Sequence, residues 1–144
     1  MKVAAAAVRS SIIRDVFSGN GIDVVGIKED GYEEKFFDIK CVTAGLKCAA
    51  VVLVATVRAL KMHGGGPRVV PGRALDPAYT EENLDLLEAG LPNLFAHIRN
   101  AELFGMPVVV AINKFPTDTR HEHDLIREMA LAAGALDAVT TEHH

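Results

Sequence analysis

Apolar residues along the chain fall into two kinds of block. Ala49 to Thr56 (AAVVLVAT) and Pro107 to Ile112 (PVVVAI) are continuous runs rich in β-branched residues, the pattern of strands buried on both faces. Elsewhere the apolar positions recur at steps of three and four. Leu84, Leu87, Leu91, Leu94 and Ile98 form one stripe of a helix that starts near Thr80 and ends at Gly105. Pro92 interrupts that stripe and predicts a kink or two abutting helices. Thr119 and Glu122 stand at capping-box spacing. The helix they open turns Leu125, Ile126, Met129 and Ala133 inward and stops before Gly134. Weaker signals are a short strand from Asp23 to Gly26, a helix from Glu33 to Val42 closed by Gly45, and a last strand from Leu136 to Thr140.

Buried strands joined by helices of this length require parallel pairing and crossover connections. The predicted class is α/β, a three-layer sandwich with a mainly parallel sheet. A length of 144 residues suits a single domain, 1–144, with enough chain to bury a core without staples. Between His63 and Ala78 stand Gly64, Gly65, Gly66, Pro67, Pro71, Gly72 and Pro77. This predicts a long loop, and such loops are usually functional or mobile.

Composition narrows the function classes. Charged residues make up 24% and hydrophobic ones 49%, the balance of an ordinary globular domain. Fifteen Lys+Arg against 19 Asp+Glu give a formal charge of −4, so no general nucleic-acid partner is expected. Cys41 and Cys48 form neither a CxxC pair nor a zinc framework, which favours a reduced, cytoplasmic protein. The run from Cys48 to Val57 has ten residues where a membrane span needs about 20, and the N-terminus is a poor signal peptide. No membrane partner is expected.

Ligands of open parallel sheets bind beyond the carboxyl ends of the strands. After the first buried strand come Arg58, Lys61 and His63, then Gly64 and Gly65. Cations followed by flexible backbone N–H groups suit a phosphorylated or carboxylate ligand; a loop start with solvated cations is the alternative. After the second strand come Asn113, Lys114, Phe115, Pro116 and Asp118. Phe115-Pro116 offers a flat apolar face to a ring. Asn113, Lys114 and Asp118 echo a nucleotide-binding base-reading loop, though the spacing departs from Asn-Lys-x-Asp. Turn and cap chemistry at Pro116, Asp118 and Thr119 is the alternative there. A GxxxxGK[ST] phosphate loop is missing from the chain. His121 and His123 are two apart on a helix and make a poor metal pair, so no metal site is expected; solvated or locally bonded histidines are the default.

Val54 to Gly65 (VATVRALKMHGG) resembles, over all twelve residues, a signature of formate–tetrahydrofolate ligases. Lys35 to Cys41 (KFFDIKC), Thr80 to Leu84 (TEENL) and Phe104 to Thr119 (FGMPVVVAINKFPTDT) resemble the same family in the right order, so the resemblance runs over about 33–144. It implies ATP-dependent formylation of tetrahydrofolate through formyl phosphate, with ATP and Mg²⁺ in the full-length family and no tightly bound cofactor. The implied partners are tetrahydrofolate, formate, and a homo-oligomer or complementing chain. It also implies a P-loop NTPase-like ancestry, with the phosphate loop well N-terminal of this stretch. By position, Phe115 and Pro116 match residues that hold the folate ring, and His144 falls where a stacking Trp usually stands. Arg58, Lys61, His63, Gly64 and Gly65 match the signature and are implied to line the cleft. Ile27 stands near the place of another folate-packing Phe, within a divergent head, 1–32. Three readings follow: a partial ligase, a non-catalytic folate-binding or assembly module derived from it, and a nucleotide-binding regulatory domain. The missing phosphate loop counts against the third.

Overall fold

The computed structural model describes residues 42–45, 48–70 and 72–142. Most belong to one compact unit, 49–140; residues 42–45, 48 and 141–142 belong to a second. In the second unit, a single helical turn, α1 (Val42–Ala44), ends at Gly45. Gly45 has φ +64° and its N–H donates to Val42 O. The expected strand at 23–26 and the helix from Glu33 lie outside the described residues, apart from that last turn.

The larger unit is α/β. Its elements run β1 (Val51–Ala55), α2 (Val57–His63), α3 (Pro77–Thr80), α4 (Leu84–Leu103), β2 (Val108–Lys114), α5 (Arg120–Ala132) and β3 (Asp137–Glu142), of which residues 137–140 lie in this unit. The sheet order is β1-β2-β3. β1 and β2 pair in parallel from Val51↔Val108 to Ala55↔Ile112. Leu136 N–H, just before β3, donates to Val108 O at the start of β2, so these strands also run the same way. β2 is the central strand, and Val108, Val110, Ala111 and Ile112 along it are buried. That double-sided burial is why its sequence is a continuous apolar run rather than an alternation.

Helix α4 presents Leu87, Gly90, Leu91, Leu94, Ile98 and Ala101 to the core. Each large side chain buried this way contributes about 1.5–3 kcal/mol. Asn83, not Thr80, is its N-cap, accepting from Leu86 N–H at 3.0 Å. Residues 77–80 form the separate turn α3. Leu84, expected in the core, is therefore the first helical residue and is exposed; Leu125 is only half-buried. Of the two expectations at Pro92, a kink or two abutting helices, the second is corrected, because α4 runs unbroken through it. Pro92 and Glu88, whose carbonyl loses its i+4 donor, both lie on the exposed side of the helix, where a freed carbonyl is open to solvation. Helix α5 opens as expected, with Thr119 as N-cap and a complete Thr119–Glu122 capping box.

The loop after α2 is tied down at its far end. Tyr79 is buried and its hydroxyl donates to Pro67 O. Burial raises the Tyr79 pKa above the usual phenol value, and the charge of Asp76 adds to this. Asp76 caps α3 by accepting from Ala78 N–H at 2.9 Å. Among the described residues, no helix is long and apolar enough to cross a membrane.

Candidate functional site

Because β1 and β2 are parallel and in register, their carboxyl ends open on one edge of the sheet. Thr56 follows β1 directly and caps α2, its hydroxyl accepting from Ala59 N–H at 3.1 Å. Arg58, Lys61 and His63 thus sit on a short helix, not at the start of a loop. The missed signal is the Thr56 N-cap before Val57-x-x-Leu60.

The helix sends its three cations to different places. Arg58 is half-buried, and its guanidinium carbon stands 5.1 Å from the centroid of the Phe115 ring. This contact joins the ends of β1 and β2. His63 is exposed in the last turn of the helix.

Lys61 is 1% exposed. Its Nζ lies 2.6 Å from Glu122 Oε1 and donates to Glu81 O at 2.8 Å. The solvated-cation alternative therefore fails for Lys61, and so does its expected place as a free cation in the cleft: the ammonium is already engaged. Glu122 also accepts from Asn83 N–H at 3.2 Å and from Thr119 N–H at 3.0 Å. Burial pushes the Glu122 pKa up. The Lys61 hydrogen bond and the Thr119 and Asn83 N–H groups outweigh it and hold the carboxyl below its ordinary value. Sequence reasoning gave Glu122 only its capping role and missed its partnership with Lys61, 61 positions away in the chain.

The glycines need a second correction. The N–H groups of Gly64, Gly65 and Gly66 donate to Leu60 O, Met62 O and Lys61 O, closing the C-terminus of α2. No open cradle for phosphate is left there, so these residues do not fit a bound phosphoryl group.

At the end of β2, Asn113 is half-buried, and its Oδ1 is buried without a hydrogen-bond partner among the described residues. Lys114 and Pro116 are exposed, and Phe115 is half-buried. Asp118 does not fit as a base-reading carboxylate. Its side chain is 3% exposed, and Oδ2 accepts from Phe115 N–H at 2.9 Å and faces His123 Nε2 at 3.2 Å. The turn-chemistry alternative holds for Asp118. Glu82 Oε2 accepts from the Thr119 hydroxyl at 2.5 Å and faces His121 Nδ1 at 3.1 Å. The Thr119 hydrogen bond is the main reason the Glu82 pKa lies below its ordinary value; His121 adds to it against some desolvation. His121 and His123 thus face different carboxylates, Glu82 from 39 positions away in the chain and Asp118 from 5. His144 and Ile27 lie outside the described residues.

Known proteins match the sequence of this chain over most of its length. The sequence model of the family described as formate–tetrahydrofolate ligase matches residues 5–144. The chain belongs to the formate–tetrahydrofolate ligase family. A cytoplasmic C-1-tetrahydrofolate synthase of Drosophila melanogaster is 56% identical over 118 residues, covering 82% of this chain and 12% of that protein. Another, of Schizosaccharomyces pombe, is 49% identical over 150 residues, covering 93% of this chain and 16% of its own length. A formate–tetrahydrofolate ligase of Arabidopsis thaliana is 49% identical over 142 residues, covering 94% of this chain and 22% of its own length. The chain thus spans less than a quarter of each of these relatives. The family match also extends further toward the N-terminus than the motifs from residue 33 onward.

Proposed function

We propose that this chain forms the folate-facing edge of a formate–tetrahydrofolate ligase, an enzyme that formylates tetrahydrofolate at the expense of ATP by way of formyl phosphate. The observation that carries this reading is the Arg58–Phe115 contact, which unites the two stretches most similar to the family at one sheet edge. Phe115 and Pro116 present a flat apolar surface to the pterin. His144 is the further ring-side candidate. Asn113 and Lys114, which end β2, and His63, in the last turn of α2, supply polar groups for the rest of the substrate. The sheet belongs to a three-layer sandwich of P-loop NTPase-like ancestry. Formate and ATP with Mg²⁺ complete the reaction, the phosphate site being supplied by residues other than Gly64–Gly66; a homo-oligomer or a complementing chain is the further partner. The location is cytoplasmic, as in the names of the fly and fission-yeast relatives.

The engaged glycine N–H groups favour a second reading, a non-catalytic folate-binding or assembly module. Two measurements test these readings. The 144-residue chain by itself is expected to show no formate-dependent conversion of ATP to ADP; turnover that depends on formate and tetrahydrofolate would establish a competent enzyme instead. Tetrahydrofolate should bind weakly, and Phe115→Ala should remove that binding by eliminating the stacking face, worth about 0.5–1.5 kcal/mol beyond area burial. Phe95→Ala should act only on stability. Calorimetric or NMR titration checks this, and binding unchanged by Phe115→Ala would show that the ring does not hold folate.

A further inference from the structure

Arg58 reaches the Phe115 ring from a helix that cannot easily turn. Lys61, one turn further along α2, is locked at 2.6 Å to Glu122 and at 2.8 Å to Glu81 O. The Thr56 cap fixes the start of the helix, and the Phe115 backbone is held by Asp118 at 2.9 Å. The guanidinium and the ring are therefore presented to each other by two anchored elements. Arg58 has no carboxylate partner among the described residues, so its charge falls on the ring. A ring carries negative potential on both faces, and a cation over one face is attracted to it. By Coulomb's law the same cation adds positive potential beyond the opposite face, weakly screened where water is excluded.

We propose that Arg58 is a positioning and specificity-determining residue: by covering one face of Phe115 it fixes the ring and makes the opposite face select an electron-rich, reduced pterin over an oxidised one. This rests on the reading that Phe115 stacks on folate. In a tetrahydropterin, the saturated ring's nitrogens donate electron density into the remaining pyrimidinone. In an oxidised pterin both rings are conjugated and electron-poor. Only the former is stabilised against a ring whose negative potential has been offset from behind.

The test titrates the 144-residue chain with tetrahydrofolate and with folic acid under anaerobic conditions, followed by NMR. The wild-type chain should prefer tetrahydrofolate by a factor roughly three- to tenfold larger than Arg58→Met does, since Met keeps much of the side-chain length and removes the charge. Arg58→Lys should restore part of the preference, which a purely structural role would not. Independently of any ligand, the Arg58 side-chain protons should be shifted upfield by the ring and lose that shift in Phe115→Leu. If both ligands bind, Phe115→Ala abolishes binding, and Arg58→Met leaves the ratio unchanged, the proposal is overturned while the folate reading stands. An absent upfield shift in the wild-type chain also overturns it. If neither ligand binds the folded chain, the folate reading itself fails and the proposal with it.

Discussion

Gly90→Ala is expected to lower stability by about 3 kcal/mol or more, although alanine is the better helix former by about 1 kcal/mol. A Cβ built on Gly90 lies 1.8 Å from Leu60 O and 2.7 Å from Leu60 C. Conversely, a Cβ on Gly64 lies 2.0 Å from Leu86 O. Every one of these contacts is to backbone, so no side chain can swing aside. Helices α2 and α4 cross with their main chains in contact, and one methyl group must push them apart. The displaced Leu60 carbonyl is the acceptor that closes α2 through Gly64 N–H at 2.9 Å, so the capping bond is strained as well. For a unit of this size, 1 kcal/mol corresponds to a few degrees in Tm, so a fall of roughly 10 °C or more should appear on thermal unfolding. Gly105→Ala is the control. Gly105 has φ +72° and a methyl group placed on it meets nothing within 4 Å, so only backbone strain of about 1 kcal/mol is expected. A Tm for Gly90→Ala within about 2 °C of wild type would disprove the close helix crossing.

The same crossing shows what could and could not be read from the chain. The apolar runs that became β1 and β2, the stripe of α4 and the capping box of α5 were legible because each depends on local periodicity or on a fixed short spacing. Gly64 was legible as unusual but not for the right reason. A glycine that admits a neighbouring backbone and a glycine that cradles phosphate look alike until the partner helix is placed. Lys61 poses the same difficulty. A lysine near a strand end reads as a solvated or ligand-facing cation, and its carboxylate lies on a helix beyond the next strand. Asp118 was ambiguous between cap, turn and ligand, and its burial beside Phe115 N–H decides for the turn. By contrast, Phe115-Pro116 was legible as an unusual apolar pair at a strand end, because few other aromatic residues compete for that role in a chain without Trp. The Arg58 guanidinium over its ring was not, since the spacing of residues 58 and 115 does not record which side chains meet at the shared edge.

Lys61→Met is expected to cost about 3–5 kcal/mol at neutral pH, because it leaves Glu122 buried without its counter-charge. Methionine fills much of the same volume, so the loss is electrostatic more than steric. The pH dependence separates this from a simple packing defect. In the wild-type chain the Glu122 pKa is depressed in the folded state. Its contribution is therefore present above the unfolded carboxyl pKa of about 4.3 and is lost as pH falls through the folded value. Without Lys61, the burial that now opposes the charged form becomes dominant, and the folded pKa of Glu122 rises above the unfolded value. The sign then reverses: the folded variant takes up a proton more readily than its unfolded chain, and the penalty shrinks as pH falls through the raised value. Chemical denaturation of both chains from about pH 7.5 down to about pH 4.5 should show the gap between them narrowing steadily. Glu122→Gln should behave differently, since the amide oxygen still accepts from backbone N–H but leaves Lys61 buried and charged, with no carboxyl left to titrate. Its deficit should stay nearly flat over the same range. A Lys61→Met deficit that is equally flat would mean that Glu122 does not depend on Lys61 for its charge, and that the contact at 2.6 Å does little to hold α2 against α5.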